Sequence, residues 1–480
     1  MTENINASRR RFLHAASTMS VGAAAAPFAL NLLTVGAAAA QTANDYKAIV
    51  CLFMSGGNDH ANTVLATDST SWTSYETVRK TSGTDSIALP RVGDSGGVLP
   101  IVPVTTQGRT FALHPNLGPL RDLFAGGRAA IVANVGPLIV PTTVAQFRAQ
   151  SVPLPPKLFS HNDQQSVWQS IQPEGARFGW GGRIGDMVAS MNTNATFTSV
   201  SASGNAVFLA GESVNQYQVS ASGAVPINGL SGSLFGAPAN ANPLREIITA
   251  DRSNLFEREH AAIVRRSIAA QGVLSAAMAP AGAGGVPDPT QYTNPNTGVL
   301  STNSLATQLQ TVARIIAGRG VLGARRQVFF VNMGGFDTHD LQRSMHADLM
   351  TRLAHAISYF DTVLASLAGS DMRKQVTLFT ASDFGRTFTS NGDGTDHGWG
   401  SHHFVVGGAV KGREIYGMFP ETGLGHSHDA GSGSLLPTIS VDQYGATLAS
   451  WFGLTWNEIV DIFPNIRNFT NRTPALGFMA

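Results

Sequence analysis

The chain has 480 residues, with 32 Lys+Arg set against 31 Asp+Glu, 51 glycines and one cysteine. Balanced charge leaves no electrostatic footprint for nucleic acid, and the lone Cys51 excludes an internal disulfide. This length is ample for one large buried core, alone or carrying an insertion.

The N-terminus reads Ser8-Arg9-Arg10-Arg11-Phe12-Leu13 and runs into an Ala-rich stretch, to about Ala40, that holds no charged residue. A basic segment, an uncharged apolar segment and small residues before Gln41 predict a signal peptide over 1–40. The arginine pair points to the twin-arginine route, so the translocase is an expected partner and a periplasmic or extracellular location the expected destination. The stretch is long enough to span a bilayer, but Gly22, Pro27, Asn31 and Gly36 interrupt it and Ala is weakly apolar, which favours cleavage over a retained anchor.

Beyond the leader, apolar runs rich in Val, Ile and Phe recur at Lys47–Met54, Ala129–Val135, Gln327–Asn332, Val376–Ala381 and His403–Val406. Each ends in Gly or a polar cluster, which predicts buried strands. Between them, Leu349, Leu353, Ile357, Phe360 and Leu364 recur at helical spacing and predict a helix over Leu341–Leu367, stopped by Gly369. Strand, crossover helix and strand predict an α/β protein with a mostly parallel sheet flanked by helices.

A Ser/Gly-rich stretch, Thr196–Asn242, reads as an inserted β-rich subdomain within an insertion at about 190–300 of the 41–480 domain. Helical stretches at Pro243–Met278 and Ser304–Ile316 bracket a Pro/Gly/Ala loop near Ala279–Asn296 that is expected to move.

Ligands of open parallel sheets bind beyond the carboxyl ends of the strands. There the sequence places Ser55-Gly56-Gly57-Asn58-Asp59-His60, Gly334-Gly335-Phe336-Asp337-Thr338-His339-Asp340 and Ser382-Asp383-Phe384-Gly385-Arg386-Thr387. An adjoining loop carries Asp393, Asp396, His397, His402 and His403. Crowded carboxylates oppose folding unless a cation neutralises them. Mixed Asp and His donors suit a divalent metal such as Zn or Mn, with Ca or Mg not excluded. Read singly, each loop is ordinary turn punctuation; their convergence on one edge makes the case. His346 and His355, on the long helix, are expected on the solvated surface. His426, His428 and Asp429 read as a flexible loop or an accessory metal site, and Asn391–Asp396 is a partial calcium loop without its downstream Glu. Gly93-Asp94-Ser95-Gly96-Gly97 formally fits a serine-nucleophile motif but reads better as a surface turn.

The motifs SRRRFL, FMSGGNDHANTV, LHPNL, GGFDTHD, LFTASDFGRT, GTDHGWGSHHFVVGGAVKG and LLPTISVDQYGATLASWFGL together resemble an uncharacterised, twin-arginine-exported family, domain of unknown function 1501. That family in turn resembles the alkaline-phosphatase superfamily, with sulfatases and phosphodiesterases as distant relatives. The resemblance implies an alkaline-phosphatase-like sheet with metals at its carboxyl edge. It also implies Asp59, Asp337, His339, Asp383 and His397 as ligands. Phe384 stands where a ligand histidine is expected, so one metal site is incomplete unless His402 or His403 substitutes. Such enzymes keep a nucleophile at a helix N-terminus. Ser160-His161, opening the helix-like Asn162–Ser170, is the best match; Thr63 is the alternative, and Ser160 reads equally as a helix cap. Arg386 and Arg183 are the expected anion-binding cations. The expectation is a metal-dependent hydrolase of phosphate or sulfate esters on a small molecule or glycan. Its rival is a non-catalytic binding or envelope-assembly protein that keeps the fold and one metal.

Overall fold

A computed structural model describes residues 46–80, 86–230, 233, 236, 242–470 and 476–480. The expected signal peptide lies outside them. Lys47–Ala480 cluster as one unit, organised around strands β1 (Lys47–Met54), β2 (Ala129–Gly136), β3 (Ser199–Ser201), β4 (Tyr217–Ser220), β5 (Arg326–Met333), β6 (Val376–Ser382), β7 (Arg386–Ser390), β8 (Thr395–His397), β9 (Ser401–Val406) and β10 (Ile415–Tyr416). All but β7 and β8 belong to one sheet, in the order β10-β2-β9-β6-β1-β5-β3-β4 and then Gly223–Ala224.

The centre is parallel: Cys51 of β1 sits opposite Phe330 of β5 on one side and Phe379 of β6 on the other. A strand covered on both faces has no solvated side to alternate towards, which is why β1 reads as an unbroken apolar run. One strand breaks the pattern. β9 runs antiparallel to both of its neighbours, β6 and β2. The Ser/Gly-rich segment supplies β3, which pairs in parallel with β5, and β4 beyond it, so its strands extend the main sheet.

Helix α1 (Ser69–Arg79) packs on β7, and helices α2 (His161–Ser170), α3 (Trp180–Val188), α4 (Ser304–Ala317), α5 (Gln342–Leu364) and α6 (Val441–Phe452) flank the sheet. Ile49, Cys51 and Phe53 share one cluster with Trp168, Trp180, Ile184, Tyr444, Leu448 and Phe452, which places α2, α3 and α6 on that face. Helices α4 and α5 pack on each other, and α4 lies against β5. Neither contributes to that cluster.

Three local expectations are corrected. The stretch 243–278 forms two helices, Pro243–Thr249 and Leu255–Ala277, because Asn254 caps a new start by accepting the amides of Phe256 and Glu257. The loop expected to move is tied down. Gln310 Nε2 donates to the carbonyls of Val286 and Pro287, and the Tyr359 hydroxyl donates to Pro287 O at 2.5 Å. His346 is buried rather than solvated, with Nε2 3.1 Å from Asn58 Oδ1, and His355 is half-buried between Asn303 and Thr290.

Candidate functional site

The site forms where the turn after β5, the segment after β6 and the start of α2 meet. Asp337 is its centre. Its carboxylate lies 3.4 Å from His161 Nε2, 3.1 Å from His339 Nε2 and 3.2 Å from His397 Nε2. His161, Asp337 and His397 each offer a donor atom within 4.8 Å of the others, and His339 Nε2 is 3.0 Å from His397 Nε2. Four donors bound at about 2.0–2.1 Å in a tetrahedron stand roughly 3.3 Å apart. The carboxylate-to-imidazole distances match that spacing.

The far nitrogens of these rings are also placed. His161 Nδ1 is 2.6 Å from Asp383 Oδ2, which also accepts Gln165 Nε2 at 2.7 Å. His397 Nδ1 donates to the Phe159 carbonyl at 2.8 Å, and His339 Nδ1 is 3.4 Å from Asp396. Ligand histidines are oriented in this manner, by a carboxylate or carbonyl on the nitrogen that does not bind. The bond to Asp383 raises the His161 pKa against the effect of partial burial. Burial lowers that of His397. Partial burial pushes Asp337 up, but the hydrogen bond and charge of Arg386 outweigh it and hold the carboxyl below its ordinary range.

The glycines flanking the site allow its loops to touch. Gly56 has φ +118°, and a Cβ there would stand 2.3 Å from the Asp337 backbone nitrogen. A Cβ on Gly57 would meet the Phe384 ring at 2.4 Å. The fully buried Phe384 in turn lies against the rings of His161 and His397, with centroids 4.8 and 4.6 Å away.

The structure thus brings together Asp337, His339, Asp383 and His397, with His161, assigned to catalysis by sequence, standing among the clustered donors. Asp383 is fully buried behind His161, with Oδ1 unpartnered. Its observed role is to hold the ring. Asp59 is corrected. Both of its oxygens are taken by Arg79, at 2.5 and 3.0 Å, and Gln342 Nε2 donates to it at 2.6 Å, all at zero exposure. Burial raises its pKa, yet the Arg79 charge brings it down to about 2. His402 is corrected too: its Nδ1 accepts the Asn134 amide at 3.0 Å and its ring packs on His60 and Phe419. His403 sits under Trp168 beside Thr380, so neither substitutes for Phe384.

The anion-binding expectations change as well. Arg386 spends its donors on Asp337, at 2.6 Å, on the Gly56 carbonyl at 3.2 Å and on Thr395, so it positions Asp337. Arg183 donates to the carbonyls of Asp461 and Ile462. Thr63 is fully buried and donates to the Asp59 carbonyl. Ser160 precedes α2 without capping its amides, and its hydroxyl donates to Asp163 Oδ2 at 2.9 Å. Gly93–Gly97 is a surface turn closed by Gly97 N donating to Asp94 O. Asp429 organises its own loop by accepting the amides of Gly425, Gly431 and Gly433.

Sequence reasoning missed Gln165 and the Phe159 carbonyl. For Gln165 a signal existed: His161 and Gln165 are spaced i, i+4 on α2, which points both at one partner.

No curated relative matches this sequence. Among solved structures, the chain is similar to Ps i-CgsB in complex with k-i-k-neocarrahexaose, at 10% identity over 90% of this chain and 78% of that one, TM-score 0.35. It is similar to a 2-O GAG sulfatase at 10% identity over 86% and 71%, TM-score 0.28. Alkaline phosphatase from the Antarctic bacterium TAB5 shows 12% identity over 88% and 98%, TM-score 0.27. A family model described as "Protein of unknown function (DUF1501)" matches residues 46–439, and the chain belongs to that family.

Proposed function

We propose that the protein is an exported, metal-dependent hydrolase of phosphate or sulfate esters. The observation that carries this reading is the Asp337 carboxylate ringed by three imidazole Nε2 atoms. Imidazole-rich donors fit Zn, Mn or Fe better than Ca or Mg. Such an ion, when bound, supplies Lewis acidity towards an ester oxygen and lowers the pKa of water.

The chain's own groups do the rest. Asp383, itself held by Gln165 Nε2, keeps His161 Nδ1 occupied, so Nε2 faces the site. Arg386 turns Asp337 towards the imidazoles. Phe384 excludes water beneath two of the rings. His339, 39% exposed, has Nδ1 3.4 Å from Asp396, which leaves its Nε2 to face Asp337. Ser160 is the alternative nucleophile, with Asp163 set to take its proton. Export through the twin-arginine translocase belongs to the same reading. Among the described residues no helix is long and apolar enough to cross a membrane.

A second reading, a non-catalytic binder that keeps one metal, is favoured by Phe384, which fills the space beside the imidazoles where a further ligand is expected. Metal analysis of protein purified from its native host, with aryl phosphate, diaryl phosphate and aryl sulfate as substrates, separates the two. The hydrolase reading expects about one metal per chain and turnover of at least one ester, both lost in Asp337→Ala. Metal without turnover supports the binder; metal-free wild type overturns both.

A further inference from the structure

We propose that Gln342, outside the donor set, is the positioning residue that aims Arg386 and therefore Asp337. The inference rests on the metal reading above. Gln342 is the first residue of α5 and fully buried. Its Nε2 donates to Asp59 Oδ2 at 2.6 Å, while its Oε1 accepts two hydroxyls, from Thr338 at 3.0 Å and from Thr395 at 2.6 Å. An ionised carboxylate only accepts, so Asp59 dictates which way round the amide stands. Asp59 is itself immobilised by the forked contact with Arg79.

The consequence passes outward through Thr395. A hydroxyl has one proton, and that of Thr395 is committed to Gln342. Its lone pairs then face Arg386 Nε, at 3.2 Å. Arg386 also donates to the Thr395 carbonyl. With that edge of the planar guanidinium fixed, Nη1 is presented to Asp337 Oδ1. The second hydroxyl on Oε1 is that of Thr338, which stands between Asp337 and His339 and is buried. One side-chain amide therefore braces the site from two directions, and no atom of Gln342 needs to touch the ion.

A purely structural glutamine would affect stability and leave the coordination unchanged, so the test reads coordination. The full chain, stripped of metal, is titrated with Co2+ while its visible absorption band is followed, alongside thermal melting. Gln342→Met and Thr395→Val, the latter shape-preserving but without the hydroxyl, are expected to weaken Co2+ binding by about 10–100-fold, the range seen for outer-shell partners, and to shift the band. Thr395→Ser, which keeps the hydroxyl, is expected to match wild type. The double variant should lose little more than the worse single one, since both cut the same chain of bonds. Wild-type affinity and spectrum in Gln342→Met and Thr395→Val, or strictly additive losses, would overturn the proposal while leaving the metal reading intact. Wild type that takes up no Co2+ would overturn the metal reading and this inference with it. If Gln342→Met does not fold, the contrast between Thr395→Val and Thr395→Ser decides.

Discussion

Truncating Asp59 and truncating Asp337 have opposite expected effects, although the sequence presents both as an aspartate just beyond a strand. Asp59→Ala leaves the Arg79 guanidinium at zero exposure with only the carbonyls of Phe388 and Thr387 as partners, and leaves Gln342 Nε2 without its carboxylate. Breaking a buried pair from one side costs about 3–5 kcal/mol. For a unit of roughly 430 residues the unfolding entropy is about 0.9 kcal/mol/K, so Tm falls by roughly 3–6 °C. Asp337 is 42% exposed and loses chiefly its bond from Arg386, a change of about 1–3 kcal/mol. Differential scanning calorimetry paired with metal analysis at saturating metal gives both readouts. Asp59→Ala should melt early and still hold about one ion per folded chain, at weakened affinity. Asp337→Ala should melt closer to wild type and hold none. Loss of the ion from Asp59→Ala at unchanged Tm, with retention by Asp337→Ala, would refute the assignment of one to the frame and the other to the site.

Acid should unfold the protein early. Burial holds His60 and His346 at about 4 and His403 at about 3, and depresses His114 and His402 well below the ordinary imidazole value. A folded value below the unfolded 6.5 means that stability is complete above pH 6.5 and drains as pH falls, by roughly 1.4 kcal/mol per pH unit for each histidine fully in that window. Five such groups should produce a cooperative loss of circular dichroism between about pH 6 and 5; a Tm unchanged from pH 7 to 4.5 would contradict their neutrality. Asp442 behaves in the opposite sense: burial raises its carboxyl to about 7 even though Asn465 N donates to it. Its folded value exceeds the unfolded one, so its contribution is complete below pH 3.8 and is lost as pH rises through about 7. Asp442→Asn should therefore raise Tm at pH 8 by a few degrees, with the gain shrinking at pH 5; an equal gain at both values would exclude ionisation as the cause.

The central strands were readable because burial on both faces leaves continuous apolar runs. β1 was bounded at Lys47 and Met54 from sequence and is observed there. The strand-end rule also brought Asp337, His339, Asp383 and His397 to one edge. Asp59 follows its strand in the same way, and what separates it is Arg79, twenty positions on in the last turn of α1, a pairing that no spacing rule reveals. His346 was misplaced despite an available signal. It falls on the stripe of Leu349, Met350, Leu353 and Ile357 at helical spacing, the face that α5 buries. The reversed direction of β9 had no local signature, because a central strand reads alike either way along the chain.

That reversal has a consequence for how the chain can change. β6 ends at the rim that carries Asp337 and His161 and β9 starts there, so Asp383–Gly400 leaves the sheet and returns to it without crossing to the opposite rim. This single excursion carries the brace for His161, the arginine that turns Asp337, and His397 itself. Closure entropy rises only slowly with loop length. The hairpin tip at Asn391-Gly392 can therefore lengthen while the sheet keeps its register, whereas Asp393, which accepts the amides of Leu341 and Gln342, ties the return strand to the start of α5, so the mouth of the site can diverge over a fixed floor.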